Sequence, residues 1–348
     1  MSFSEKILLW YSGNKRSLPW RNTRDPYKIW LSEIMLQQTR VAQGLPYYLK
    51  FNEAFPTVEH LANASEEQVL KLWQGLGYYS RARNLHATAK MVVKVYDGVF
   101  PNTYSELLKL KGVGDYTASA IASICFDEPQ PVVDGNVYRV LARYFGVDTP
   151  INSTNGIKYF KQLAREVMNT GNIRDYNQAI MEFGAIQCAP KKPNCARCPL
   201  NGSCVALQKN LVDLLPVKIN KTKVKKRYFN YLVMLDTENQ TRLQQRKGKG
   251  IWQNLWEFPL FETKTEIGLN EIKNHLIGDL KLSSSTEILL YNKDQIVHKL
   301  SHQHLYTKFW IVKIDARFDK GITLKQLDEF PVPVLIADLI KTLKNSYF

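Results

Sequence analysis

The chain has no apolar run near the about 20 residues needed to cross a bilayer, so no helical membrane span is expected. Its first residues, Met1-Ser2-Phe3-Ser4-Glu5-Lys6, lack the basic start and small-residue cleavage site of a secretory signal. A soluble, cytoplasmic protein is expected. Cysteine is scarce, five in 348 residues, and four of the five crowd into one segment, which argues against a disulfide framework. Internal repeats and low-complexity stretches are absent as well. Acidic residues are in deficit, 32 Asp and Glu against 47 Lys and Arg. The resulting charge of +15 favours a polyanionic partner, because phosphate contacts dominate nucleic-acid affinity through counterion release. A dispersed basic surface would give the same sum, so charge alone does not decide.

What is present falls into two textures. Up to about Leu207 the pattern is helical, with helices expected over 27–43, 65–72, 81–96, 103–111, 116–125, 136–145 and 157–168. Residues 208–227, ending in the basic run Lys221 to Arg227, read as an exposed connector. Strands are then expected over 228–235, 286–291 and 307–314, with helices near 268–277 and 332–344. The expected fold class is multidomain, an all-α domain followed by a smaller α+β domain.

The cysteines follow the pattern Cys188-x6-Cys195-x2-Cys198-x5-Cys204. Four thiols this close point to a metal group, since unligated thiols gain nothing from clustering. Zinc accepts four sulfurs, and so does a [4Fe–4S] cluster. The two Cys-x2-Cys knuckles common in zinc sites are missing. Cys125, alone in the apolar run Ala118 to Phe126, reads as a small buried hydrophobe. A second signal, Lys111-Gly112-Val113-Gly114, sits between two helical stretches and resembles a helix–hairpin–helix, in which backbone N–H groups approach a DNA phosphate. Asp134 stands where an apolar stretch meets a helix, the place of an N-cap. Glu33 shares a helix face with Ile29, Trp30, Leu36 and Gln37, so its carboxyl is expected to be desolvated and protonated.

The cysteine spacing resembles that of the endonuclease III and MutY family of DNA glycosylases. Leu18-Pro19-Trp20-Arg21, Ser32-Glu33-Ile34-Met35-Leu36-Gln37-Gln38-Thr39, Gly75-Leu76-Gly77-Tyr78-Tyr79-Ser80-Arg81 and Val133-Asp134-Gly135-Asn136-Val137 resemble its adenine-excising MutY branch. The resemblance implies a [4Fe–4S] cluster on Cys188, Cys195, Cys198 and Cys204. It implies Glu33 as general acid and Asp134 as the carboxylate facing the sugar, with Tyr116 and Asn136 orienting them. Arg16, Trp20, Arg21 and Gln178 match residues around the adenine, while Gln38 and Tyr78 match those that wedge into the base stack. Lyase-capable relatives carry a lysine where this chain has Tyr116, so a monofunctional glycosylase is implied. The implied division is a glycosylase domain over 1–207, a linker over 208–227 and a recognition domain over 228–348. Within the first, a six-helix module spans about 23–134, and an iron–sulfur subdomain combines 1–22 with 135–207.

Residues 250–259 resemble the start of a Nudix fold, but Glu262, Glu266 and Glu271 do not make the glutamate-dense helix that binds magnesium there. The resemblance implies that this domain reads 8-oxoguanine, with Leu300-Ser301-His302 at the position of a Phe-Ser-His loop. The expected partner is double-stranded DNA with adenine opposite 8-oxoguanine or guanine, bound by a monomer in a bacterial cytoplasm.

Overall fold

A computed structural model describes residues 1–219, 224–283 and 285–347 of the chain. Its helices start where the sequence supplies caps. Ser2 and Glu5 form a reciprocal capping box ahead of α1 (Phe3–Asn14). Asp25 accepts from the Tyr27 N–H, and Pro26 takes the first position of α2 (Pro26–Leu36), where no N–H is needed. Next come α3 (Val41–Ala54), α4 (Val58–Asn63), α5 (Glu66–Leu72) and α6 (Ser80–Tyr96). A second capping box, Ser65 with Gln68, opens α5 at the expected place. The helical part continues through α7 (Tyr104–Leu107), α8 (Asp115–Phe126), α9 (Gly135–Phe145), α10 (Thr154–Val167), α11 (Ile173–Ile186) and α12 (Val205–Gln208).

Two expected helices are corrected. The single helix over 27–43 is α2 and α3, broken at residues 37–40 with Gln38 in the left-handed region at φ 55°. Non-glycine residues seldom adopt that conformation, and no glycine or proline marks the break. The helix over 103–111 closes after one turn as α7, and turns lead from there to the glycine hairpin.

Contacts divide the chain into two compact units, Met1–Ala64 with Asn84–Asn220 and Ser65–Arg83 with Lys221–Phe348. In the first unit α8 is buried from Thr117 through Ile124, packing against α2, α7 and α11. α11 in turn meets α1 and α9, which joins the N-terminal helix to the segment that carries the cysteines. Trp30, Phe51, Phe160 and Phe183 are fully buried there, each stabilising the fold by roughly 1.5–3 kcal/mol.

The second unit is built on β1 (Lys225–Leu235), which is buried from Phe229 through Val233 as befits a central strand. After it come β2 (Gln244–Gln245), β3 (Trp256–Glu257), β4 (Leu260–Thr263), α13 (Leu269–Gly278), β5 (Ile288–Leu290), β6 (Ile296–Lys299), β7 (Gln303–Lys313) and α14 (Val334–Tyr347). β1 pairs parallel with β7 and antiparallel with β4, while β5 and β6 pair antiparallel with β7. α13 covers one face through Ile272 and Leu276, against Leu232, Trp310 and Val312.

The units differ from the division expected at 1–207, 208–227 and 228–348. Segment Ser65–Arg83 belongs with the second unit, tied by Lys71 Nζ to the Phe330 carbonyl (3.0 Å), Arg83 Nη1 to the Gln253 carbonyl (2.9 Å) and Trp256 Nε1 to Glu67 (2.8 Å). The connector is not simply exposed. Leu215 is buried, and the Val217 carbonyl accepts from the Ile151 N–H. Within the basic run Lys221 to Arg227, residues 221–223 lie outside the described residues, and Lys225–Arg227 already belong to β1. Among the described residues no helix is long and apolar enough to cross a membrane.

Candidate active site

A cavity of about 1120 Å³ opens in the first unit, lined from residues 16–21, α2, the 37–40 break, the start of α3, α8, the start of α9 and one face of α11. Glu33 enters it from α2, whose neighbours Trp30, Leu31, Ser32, Ile34 and Met35 are all buried. Burial lifts the Glu33 carboxyl to about 7; a hydrogen bond from Tyr116 pulls it down, and the charge of Asp134 adds to the rise. The Tyr116 ring reaches in from the first turn of α8, with its hydroxyl 3.2 Å from Met181 Sδ.

Asp134 caps α9 and lines the same cavity. Its Oδ1 accepts from the N–H groups of Asn136 and Val137 (both 2.8 Å), and Oδ2 accepts from Asn136 Nδ2 (2.7 Å). Burial raises this carboxyl too, but the three donors favour its charged form. Asn136 is held in turn by Arg139, which also donates to the carbonyls of Gly184 (2.6 Å) and Cys188 (2.7 Å). Capping and lining the cavity are thus one arrangement.

Arg16, Trp20, Arg21 and Gln178 line the cavity as well. Trp20 is fixed edge-on against Tyr48 at 5.0 Å. Sequence reasoning missed Glu182, which meets both arginines. It accepts from the Arg16 backbone (3.0 Å), Nε (2.8 Å) and Nη2 (2.6 Å), and from Arg21 Nη1 (3.0 Å) and Nη2 (2.7 Å). Burial would raise its pKa, but the two arginines hold it down at about 2. The available signal was its spacing, four residues past Gln178 on α11.

Gln38 and Gly114 also line the cavity, whereas Lys111 and Gly112 lie beside it in the hairpin. Gly112 needs its φ of 79°, and a Cβ there would come within 2.8 Å of Asn84 Cβ. Gly114 caps α8 with open space around it. Among the described residues no lysine lines the cavity.

The remaining candidates lie in the second unit. Leu300 N donates to the Gln303 carbonyl (2.9 Å), closing a turn between β6 and β7 with Ser301 and His302 exposed at its tip. Ser301 meets the Tyr78 hydroxyl at 2.6 Å, and Tyr78 holds a left-handed φ of 49°. Of the three glutamates after the Nudix-like start, Glu262 pairs with Arg227, Glu266 with Lys308, and Glu271 accepts from the Gly268 N–H.

Cys188, Cys195, Cys198 and Cys204 line a small cavity just beyond α11, sharing it with Arg143, Gln187, Asn201 and the apolar Pro193, Leu207 and Val212. Arg143 Nη1 lies 3.5 Å from Cys188 Sγ and donates to the Ala189 carbonyl at 2.8 Å. Among the described residues no three His, Cys, Asp or Glu side chains gather as the ligands of one metal ion would.

The chain matches the description "HhH-GPD superfamily base excision DNA repair protein" over residues 31–166 and "NUDIX domain" over 230–342. An adenine DNA glycosylase of Buchnera aphidicola subsp. Acyrthosiphon pisum is 36% identical over 356 residues, 99% of either chain. Another, from Buchnera aphidicola subsp. Baizongia pistaciae, is 36% identical over 89% of this chain and 86% of its own. Among solved structures, a thermostable thymine-DNA glycosylase matches with a TM-score of 0.56 and 34% identity, over 60% of this chain and 95% of that one.

Proposed function

Since the chain belongs to the adenine DNA glycosylases, enzymes of base excision repair that hydrolyse an N-glycosidic bond, we propose that its substrate is adenine mispaired with 8-oxoguanine or guanine in duplex DNA, acted on by a monomer without efficient lyase activity. The observation that carries this reading is the unequal treatment of two carboxyls in one cavity. Glu33 is buried with one hydrogen-bonding hydroxyl, and Asp134 is given three donors. Environments that push two carboxyls apart assign the acid and the anion.

The target adenine leaves the stack, as base-processing enzymes require, and enters the cavity. Protonated Glu33 donates to adenine N7, which makes the base a neutral leaving group. As the C–N bond breaks, the sugar gains positive charge, and ionised Asp134 stabilises it until water adds. Arg16, Arg21, Trp20 and Gln178 hold the base, and Gln38 fills the stack it left. Gly112 and Gly114 bring backbone N–H groups to a phosphate. With Tyr116 at the hairpin and no lysine in the described lining, no amine is offered for a Schiff base.

Leu300, Ser301 and His302 read the base opposite, the serine and histidine by hydrogen bonds to the oxidised guanine, and Tyr78 wedges into the stack. The four cysteines fit a [4Fe–4S] cluster better than zinc. All four thiols line one small cavity and so can serve one metal group, and their single Cys-x2-Cys with longer arms resembles the iron–sulfur spacing of the family, without the paired knuckles common in zinc sites. A bound cluster would supply rigidity to the loop after α11, and this chain's own groups do the hydrolysis.

The test is excision under single turnover from duplexes with adenine opposite 8-oxoguanine, guanine or thymine, beside a Glu33→Gln control. Release of adenine from the first two, lost in Glu33→Gln, is expected. Excision of mispaired thymine instead, or efficient borohydride trapping on abasic DNA, would defeat the reading.

A further inference from the structure

Arg16 and Arg21 line the cavity that holds Glu33, and a cation near a carboxyl favours its ionised form. Alone, the two guanidiniums would work against an acid that must carry a proton. Glu182 meets both with five hydrogen bonds, and its side chain is 1% exposed. We propose that Glu182 is a positioning residue that fixes the Arg16–Arg21 pair and cancels enough of its charge to keep Glu33 protonated. The proposal rests on the reading of Glu33 as the general acid.

The charges around Glu33 come from every side of the cavity. Tyr116 faces it from α8 and Asp134 from the cap of α9. Nearby Cys125 stays neutral, its thiol pushed by burial to about 12. Arg16 and Arg21 stand before α2, Arg40 after it, Asp115 at the start of α8, and Glu182 on α11. α3, which packs on α2, contributes only Val41 and Ala42 to the described lining. Leaving Glu33 aside, the lining holds three cations (Arg16, Arg21, Arg40) and three anions (Asp115, Asp134, Glu182), so its formal sum is zero, while Lys161 behind Asp115 and Arg139 behind Asp134 stay the same in every variant of Glu182 or Arg16. Without Glu182 it becomes +1. Glu182 is the anion in contact with the arginines, and with a pKa of about 2 it keeps its charge at any working pH.

The experiment is the pH dependence of single-turnover adenine excision by the full chain. Because the protonated Glu33 is the active form, the wild-type rate should fall as pH rises through the Glu33 limb. Glu182→Gln should move that limb to lower pH by on the order of half to one unit. Glu182→Asp, which keeps the charge, should hold it near the wild-type position. The double variant Arg16→Gln/Glu182→Gln restores the zero sum, so its limb should return even if its rate is low. Arg16→Gln alone takes the sum to −1 and should move the limb upward, which tests the idea even if Glu182→Gln folds poorly. A purely structural Glu182 would lower rates and leave the limb in place. A wild-type limb that Glu182→Gln and Arg16→Gln both leave unmoved would overturn the proposal alone. A wild-type enzyme without the limb, or an active Glu33→Gln, would overturn the reading of Glu33 and this proposal with it.

Discussion

Tyr78 and Ser301 share a hydrogen bond of 2.6 Å between hydroxyls 223 residues apart in sequence. One belongs to the segment between α5 and α6, the other to the turn between β6 and β7, and both fall within the same compact unit. On the proposed reading this bond joins a wedge residue to a base-reading residue. The pair is exposed, so the bond contributes at most about 0.5–1.5 kcal/mol.

Tyr78→Phe and Ser301→Ala should each reduce the ratio of excision opposite 8-oxoguanine to that opposite guanine by roughly 2–10-fold. Their combination should cost no more than the stronger single change. Single-turnover rates on both duplexes for the three variants check this, and strictly additive losses would show that the hydroxyls act separately. Ser301→Ala/His302→Ala should lose the preference altogether.

Asp134 caps α9 and, on the proposed reading, also stabilises the sugar, two duties that substitution can part. Serine also caps helices, so Asp134→Ser should keep the melting temperature close to wild type while excision falls by at least about 100-fold. Asp134→Asn keeps an oxygen for the N–H groups of Asn136 and Val137 but sets an NH2 against Asn136 Nδ2, so it should retain most of the cap, lose the bond to that amide and lose activity with the charge. Thermal melts beside excision rates check the pair. An active Asp134→Ser would leave the residue a cap and nothing more.

The two hairpin glycines should fail differently. Gly112→Ala forces a Cβ into left-handed backbone and against Asn84, at a cost of about 1–3 kcal/mol in stability. Gly114→Ala meets nothing in the free protein and should lose at most about 1 kcal/mol through weaker capping. Its expected defect is DNA affinity, equal on matched and mismatched duplexes, because a phosphate contact carries no sequence information. Melting curves and binding isotherms on both duplexes separate the outcomes.

Metal analysis of protein purified without added metal should find iron with sulfide, at about four irons per chain, and no stoichiometric zinc. Cys198→Ser should lower that content and destabilise the loop after α11. One zinc per chain would refute the cluster.

Much of the site was legible because its signals are local. The cysteine spacing, the hairpin glycines, the cap at Asp134 and the apolar surroundings of Glu33 all lie within a few residues of what they explain. Gln38 was harder, since neither glycine nor proline announces the left-handed break that ends α2. Glu182 was invisible as a partner of Arg16 and Arg21, because 166 and 161 residues separate them and only the fold closes that distance. The membership of Ser65–Arg83 escaped for the same reason. Its caps predicted α5 correctly, but caps specify a helix and not what it packs on.

That membership bears on how truncations are interpreted. A fragment ending near residue 220 would keep Ser65–Arg83 yet lose Gln253, Asn254, Trp256 and Phe330, which bond to Arg83, Glu66, Glu67 and Lys71. The shortened enzyme would carry an unsatisfied stretch inside its catalytic half, running straight into α6. Lower activity in such a fragment would then reflect these lost bonds as much as loss of the proposed lesion reading. Point changes at the β6–β7 turn leave those bonds intact and are the cleaner test of the proposed recognition role.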